Sequence, residues 1–182
     1  MILTHIKQEI CRLRIGSGSK KNIAQSNCRA AGRLLQAVQS AMISRPTEVR
    51  LIPGVLEFIQ QLHQAKVDLA IATNKGHNSL IRALQATELD QLFKVTRSAG
   101  QVPAKPCPQM LEEIMEEFGR DPSSTLMIGD STTDMEMAKR INVNAIGMDF
   151  YHQQEDALKA AGALAVFDDY KLLSAYLMLP EA

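Results

Sequence analysis

The sequence lacks the features of several specialised classes of protein. It has no run of eighteen or more apolar residues, so we expect no transmembrane helix. Residues Met1 to Lys7 become charged too early for a signal peptide. The three cysteines are odd in number, far apart and without the spacing of metal ligands (Cys11, Cys28 and Cys107). Together these absences predict a cytoplasmic protein whose thiols are free.

Aromatic side chains are absent from the first fifty residues, although this segment is strongly basic. It holds nine Lys/Arg and two Glu, a net charge of +7, and the remaining residues carry −7. Such a segment is interpreted either as an arm for nucleic acid or as a solvated helical segment that meets an acidic surface or anionic substrates. Because bases have no aromatic platform on which to stack, we do not expect nucleic acid as a partner.

Aspartate is also missing early in the chain. The first one is Asp68, and no two aspartates anywhere are separated by a single residue. The acidic residues upstream are Glu9, Glu48 and Glu57, and none follows a strand-like run. These 182 residues therefore do not encode a pair of aspartates for covalent catalysis and proton transfer at the end of a first strand.

The residues that are present predict two regions. From Ile6 to about Met42 the apolar spacing is helical, with a break at residues 16–19, and we assign residues 1–50 to a partial helical cap segment. After Pro53-Gly54 helices alternate with short apolar strands, and we assign residues 51–182 to an α/β core. Predicted helices cover 54–65, 77–87, 108–118, 133–141, 153–161 and 170–178; predicted strands cover 67–72, 94–97, 124–129, 144–148 and 164–167.

The predicted strands are apolar at successive positions rather than at every second one. Leu69-Ala70-Ile71-Ala72 and Leu126-Met127-Ile128 are examples. This pattern is typical of strands buried on both faces, as in a parallel sheet covered by helices. The sequence therefore predicts a doubly wound, mainly parallel, Rossmann-like sheet.

Residues suited to bind phosphate and metal fall where these strands end. Thr73 and Asn74 follow one strand and Asp130 follows another. Lys105 lies in the loop before helix 108–118, and Asp134 lies in the first turn of helix 133–141. Ligands of such sheets bind at the carboxyl ends of the strands. Carboxylates suit Mg²⁺, hydroxyl and amide groups suit phosphate oxygens, and a lysine supplies positive charge.

These residues resemble a known family in their order and spacing. Thr73-Asn74-Lys75, Lys105-Pro106 and the segment Gly129-Asp130-Ser131-Thr132-Thr133-Asp134 resemble motifs II, III and IV of the haloacid dehalogenase superfamily. Within it, the chain is most similar to phosphoglycolate-phosphatase-like hydrolases with a small helical cap. The resemblance covers residues 51–150 closely, and residues 5–45 resemble part of the cap.

The resemblance implies a Mg²⁺-dependent phosphatase of a small phosphorylated metabolite, with phosphoglycolate as the type substrate. It implies that Thr73 and Lys105 are catalytic residues and bind the phosphoryl group together with Asn74. It also implies that Asp130 binds Mg²⁺ and that Asp134 supports the metal site. Each motif alone has a structural explanation, as a turn, a first-turn acid or the end of a strand.

Two further acidic positions have structural interpretations. We interpret Asp149 as a loop acid rather than a part of the metal site. Asp168-Asp169 are interpreted as a helix cap.

The superfamily places its Asp-x-Asp at the end of a first strand, in the middle of the sheet. Without that pair we expect this chain to bind phosphate but not to hydrolyse phosphate esters. Met1 to Ile6 offer a short substitute for the strand, and a neighbouring chain is a second source. We interpret the sequence as truncated. The alternative is an evolved pseudophosphatase, a phosphate-binding or regulatory module that forms homo-oligomers through exposed sheet edges.

Overall fold

The computed structural model describes residues 2–3 and 49–180, and in these ranges six parallel strands form one sheet. The strands are β1 (Ile2–Leu3), β2 (Leu69–Gly76), β3 (Val95–Ala99), β4 (Leu126–Gly129), β5 (Asn144–Met148) and β6 (Ala165–Phe167). The helices are α1 (Val55–Gln64), α2 (His77–Ala86), α3 (Gln109–Phe118), α4 (Thr132–Lys139), α5 (Glu155–Ala161) and α6 (Tyr170–Tyr176), with a 3-10 turn at Pro122–Ser124. The predicted helices at 6–42 and the cap at 5–45 lie outside the described residues.

Helices cover both faces of the sheet, which explains the continuous apolar runs. In β2, Ala70 and Ala72 pack in a cluster with residues of α3, α4 and α5, whereas Leu69 and Ile71 pack in a second cluster with residues of α1, α2 and α6. Successive side chains of a strand point to opposite faces, and here both faces are buried. The predicted α/β fold with a mainly parallel sheet is confirmed.

The strand order is β3-β2-β1-β4-β5-β6, with every neighbouring pair parallel. In a doubly wound sheet of this order the direction of winding reverses between β1 and β4. A crevice opens at that point beyond the carboxyl ends of the strands, because the connections leave toward opposite faces. This topology places the ends of β2, β1 and β4 beside one another.

The short strand β1 lies in the middle of the sheet, between β2 and β4. Its paired residues are Ile2 with Leu69 and Leu126, and Leu3 with Ala70 and Met127. The substitute strand expected within Met1 to Ile6 is therefore present at Ile2–Leu3. These two residues form one compact unit with the core that begins at Arg50, while the proposed division of the chain near residue 50 otherwise stays a prediction.

The strand β2 extends from the predicted end at residue 72 to Gly76. Its register against β3 shifts between Thr73 and Gly76. The Lys75 backbone N–H donates a hydrogen bond to the Thr73 hydroxyl at 3.1 Å. Such local side-chain bonds leave no periodic signal in a sequence, which is why the strand end was misplaced.

None of the helices within residues 49–180 has the length and apolar character that are needed to cross a membrane.

Candidate phosphate and metal site

The predicted site residues lie at one edge of the sheet, at the carboxyl ends of β2 and β4. Thr73 and Asn74 belong to the last part of β2, and Asp130 directly follows β4. Lys105 precedes α3, and Asp134 lies in the first turn of α4. This edge flanks the point where the direction of winding reverses, which is where ligands bind in such sheets.

Lys105 and Asp134 form a buried ion pair. The ammonium nitrogen of Lys105 lies 2.5 Å from Oδ1 of Asp134, and the two side chains are 2% and 0% exposed. The same nitrogen donates to the backbone carbonyl of Ala72 at 3.3 Å. Since a buried charge is costly without a partner, each of these groups requires the other. The pair fixes the start of α4 against the end of β2.

The second oxygen of the Asp134 carboxylate is held by Ser131, the N-cap of α4. Oδ2 accepts hydrogen bonds from the Ser131 backbone N–H at 3.2 Å and from its hydroxyl at 2.7 Å. A Cβ atom at position 129 would lie 2.5 Å from this oxygen, so only glycine fits there. Sequence reasoning gave Ser131 no role, although Ser-x-x-Asp before a helix is a capping signal.

Asn74 holds the backbone of Lys105. Its Oδ1 accepts a hydrogen bond from the Lys105 backbone N–H at 2.8 Å, and its Nδ2 donates to the Lys105 carbonyl at 3.3 Å. The two bonds join segments that are 31 residues apart. The side chain of Asn74 thus positions the loop that carries Lys105, a contact that no motif spacing predicts.

Lys75 is a further cation at this edge. Its ammonium nitrogen is shielded from solvent and has no hydrogen-bond partner among the described residues. Burial lowers the pKa of the Lys75 ammonium group. No role was predicted for Lys75 within Thr73-Asn74-Lys75; a cation directly after a hydroxyl and an amide was the available signal.

Asp130 lines a small pocket with mainly apolar walls. The other lining residues are Ile52, Ile128, Gly129, Met148, Phe150 and Tyr170. Burial, and secondarily the negative charge of Asp130, raise the pKa of the Tyr170 phenol. Tyr170 begins α6, far along the chain from β4, so its place beside Asp130 was not predicted.

Asp149 has the structural role that was predicted for it. Its carboxylate accepts hydrogen bonds from the backbone N–H groups of Gln153 at 3.1 Å and Gln154 at 2.7 Å, just before α5. Asp169 likewise is the N-cap of α6, and it accepts a bond from the Leu172 N–H at 2.7 Å. Both interpretations of these acids as structural groups are confirmed.

The donor set of the predicted metal site is small. Within the described residues, no group of three His, Cys, Asp or Glu side chains is arranged to hold a metal ion. The contacts of Asp134 go to Lys105 and Ser131, so Asp130 is the carboxylate here that suits a metal. Mg²⁺ often binds through one or two carboxylates together with substrate phosphate and water, and Asp130 fits that pattern. The assignment of both aspartates as metal ligands stays a prediction.

A comparison with known protein families shows to which family this chain belongs. A family model described as haloacid dehalogenase-like hydrolase matches residues 2–148. The chain belongs to this family. The predicted relationship to the haloacid dehalogenase superfamily is thereby confirmed, and the match begins at β1 and ends at the last residue of β5.

Individual haloacid dehalogenase-like proteins are similar over most of this chain. A probable phosphatase, IndB, of Dickeya dadantii is 34% identical over 142 residues, which are 78% of this chain and 62% of that protein. A phosphoglycolate phosphatase of Rhodospirillum rubrum is 31% identical over 130 residues, 71% of this chain and 54% of that protein. The chain thus spans less than two thirds of the length of these relatives.

A solved structure supports the fold. The crystal structure of a haloacid dehalogenase family hydrolase from Deinococcus radiodurans, with bound phosphate and sodium, superposes with a TM-score of 0.72. The match covers 81% of this chain and 69% of that one, at 23% sequence identity. At this identity the likeness concerns the fold alone.

Proposed function

We propose that this chain carries the phosphate- and metal-binding part of a Mg²⁺-dependent phosphatase for small phosphorylated metabolites such as phosphoglycolate. The observation that carries the proposal is the buried Lys105–Asp134 pair at the sheet edge that also bears Thr73 and Asp130. Similarity to phosphoglycolate phosphatases supports the choice of substrate class.

Lys105 and Thr73 are the groups we assign to the phosphoryl oxygens. A lysine ammonium has three N–H donors, and here two point to Asp134 and to the Ala72 carbonyl, which leaves one for a ligand. The Thr73 hydroxyl accepts a bond from the Lys75 N–H, so its own proton is available to donate. Asn74 and Asp134 hold Lys105 in place and do not have to contact the substrate.

Asp130 is the residue we assign to Mg²⁺. When bound, the ion would neutralise charge on the phosphate oxygens and orient the ester. The carboxylate follows β4 directly and lies against apolar side chains of the pocket. Electrostatic attraction to a cation is stronger there than in open water, because the neighbouring groups are poorly polarisable.

Turnover requires a nucleophile that these 182 residues do not supply in the family's usual form, since no Asp-x-Asp is present. We therefore propose that the chain by itself binds phosphate without hydrolysing esters, as expected of a truncated phosphatase. The contacts that hold Lys105 are also consistent with a second candidate, a non-catalytic phosphate-binding or regulatory module.

Phosphate release from a panel of small phosphomonoesters, measured with Mg²⁺ and the pure chain, tests the proposal. We expect phosphate binding and no release. Release that disappears in Asp130→Asn would show that another carboxylate acts as nucleophile, and the proposed inactivity would be wrong. Absence of phosphate binding by the folded chain would contradict the proposed function itself.

The two candidates differ in their response to an added nucleophile. A segment with a strand and an Asp-x-Asp pair, taken from a relative, can replace residues 1–6, so that its strand takes the place of β1. We expect Mg²⁺-dependent hydrolysis to appear if the chain is the binding part of a phosphatase. A folded fusion without activity would favour the non-catalytic module.

We also propose a cytoplasmic location, because the three cysteines are scattered and odd in number. The proposed partner is a small phosphorylated metabolite, and a homo-oligomer through the exposed sheet edges is a second proposal. The edge strands of the described sheet are β3 and β6.

A further inference from the structure

The ammonium group of Lys75 stands apart from the other polar groups of the core. Among the described residues, its Nζ is the buried side-chain nitrogen or oxygen that lacks a hydrogen-bond partner. Buried polar groups in native proteins nearly always have partners, and an unpaired buried charge is costly. The lowered pKa of Lys75 agrees with this cost. The group therefore calls for a partner that the described residues do not provide.

The surroundings of Lys75 in the chain are electropositive. Gly76, the next residue, is the N-cap of α2 and offers no side-chain hydrogen bond to the first turn. The first turn of α2 contains no acidic residue, although the N-terminus of a helix favours negative charge. The first turn of α2, which follows Lys75 closely in the chain, therefore supplies no acidic side chain that would compensate the ammonium group.

The neighbouring lysine cannot account for the same charge. The ammonium group of Lys105 is compensated by the Asp134 carboxylate, so that pair is close to neutral as a unit. Among the described residues at this end of β2, Lys75 therefore carries the positive charge that has no acidic partner.

We propose that Lys75 is an anion-binding residue of the site, and that its ammonium group binds an oxyanion of the ligand. This inference rests on the proposed phosphate-binding function, in which Lys75 has no role so far. The oxyanion belongs either to the phosphoryl group or to a second anionic group of the same molecule, such as a carboxylate. Both groups supply charged oxygens. Ligands with and without a carboxylate distinguish the two possibilities.

Calorimetric titration with three ligands tests this inference: inorganic phosphate, ethyl phosphate and 2-phosphoglycolate. The titrations are made in EDTA, so that metal binding does not contribute and turnover is prevented. Lys75→Met removes the charge at similar size, and Lys75→Arg retains it. Lys94→Met is the matched control, because Lys94 is exposed and lies outside the site.

We expect Lys75→Met to weaken binding about tenfold to a hundredfold, the usual effect of losing a hydrogen bond to a charged group. Lys75→Arg should retain most of the affinity, and Lys94→Met should bind as the unmodified protein does. Weaker binding of all three ligands assigns the phosphoryl group to Lys75. Weaker binding of 2-phosphoglycolate alone assigns the carboxylate.

Equal affinity of Lys75→Met and the unmodified protein for all three ligands overturns the inference, as does a failure of the folded protein to bind any of them. Thermal unfolding gives an independent readout, since removing an unpaired buried charge should leave the melting temperature equal or higher. A lower melting temperature combined with normal phosphate binding would make Lys75 a structural residue and also overturn the inference.

A separate titration distinguishes this inference from the proposed function. Mg²⁺ should strengthen phosphate binding in the unmodified protein but not in Asp130→Asn. If Mg²⁺ has no effect while Lys75→Met still weakens binding, the proposed metal role is wrong and the role of Lys75 stands. If Mg²⁺ acts through Asp130 while Lys75→Met has no effect, the proposed metal role stands and the role of Lys75 is wrong.

Discussion

At the scale of single residues, the contact between Lys105 and Asp134 links the stability of the core to the proposed phosphate site. Both side chains are almost fully buried, and the pair joins the loop before α3 to the first turn of α4. A lysine held in this way loses little freedom when a phosphate binds, because its position is fixed beforehand. The same contact makes Lys105 hard to replace, because Asp134 would lose its cation.

We predict that Lys105→Met lowers the free energy of unfolding by about 3–5 kcal/mol, since it leaves the buried Asp134 carboxylate without its cation. Adding Asp134→Asn should restore part of the loss, because the amide carries no charge and still accepts a bond from Ser131. Urea unfolding of the two single variants and the double variant measures the coupling.

The matched control is an exposed ion pair. The Nη2 atom of Arg120 lies 2.7 Å from Oδ2 of Asp68, and these two side chains are 48% and 37% exposed. Arg120→Met should therefore have a much smaller effect than Lys105→Met. Effects of Lys105→Met and Asp134→Asn that simply add would contradict a coupled pair.

The positions of the predicted site residues at one sheet edge follow from the sequence, but their side-chain contacts do not. Thr73, Lys105 and Asp130 were located from their order and from the strand ends that precede them. The contact of Asp134 with Lys105 joins residues 29 positions apart, and sequence spacing carries no information on which partner a carboxylate takes. The state of Lys75 was equally hard to predict. A sequence does not show that an ammonium nitrogen is buried and lacks a hydrogen-bond partner among the described residues.

At the scale of helices and strands, α5 is linked to the sheet through Asp149. Burial opposes ionisation of this side chain, but the backbone N–H groups of Gln154 and Gln153 hold its pKa below the ordinary value of 3.8. The ionised carboxylate therefore stabilises the folded state above that value. This stabilisation is lost as the pH falls through the lower, folded-state pKa.

We predict that Asp149→Asn lowers the free energy of unfolding by about 1 kcal/mol near pH 7, because it weakens the hydrogen bonds from the Gln153 and Gln154 backbone N–H groups. The difference from the unmodified protein should shrink as the pH is lowered below 3.8. Thermal unfolding across this pH range measures it. Asp90→Asn, at an exposed position, is the control, and a difference that grows toward acid pH would refute the assignment.

The type and order of the elements from residue 54 onward were predictable, whereas some of their ends were not. Apolar runs flanked by turn residues locate β4 and β5 well, because burial on both faces is visible in composition. The end of β2 depends on a register shift and a side-chain bond at Thr73. β1 has only two residues, too few to show any period.

At the scale of the whole molecule, the sheet depends on β1, although it is the shortest strand. Its backbone pairs on both sides, whereas β6 at the edge pairs on one side. A strand missing from this position would leave two inner edges with unpaired backbone groups. The stability of the entire core is therefore sensitive to the backbone at Ile2 and Leu3.

We predict that Leu3→Pro destabilises the protein more than Val166→Pro does. Proline cannot donate a ladder hydrogen bond and is tolerated at edges better than in central strands. Chemical unfolding of both variants, monitored by circular dichroism, gives the comparison. An equal or smaller effect of Leu3→Pro would mean that β1 contributes little to the sheet.

The central position of β1 also sets the order in which the sheet can assemble. Its partners in β2 begin at Leu69 and those in β4 begin at Leu126, so both are synthesised long after β1 itself. Contacts between residues so distant in the chain form slowly, because long loops have to close first. During synthesis, β1 has no partner in this sheet until residue 69 has been made, and its second partner arrives only with residue 126. The first strand of the chain therefore completes its pairing only after residues 126–127 have been made, although it lies in the middle of the sheet.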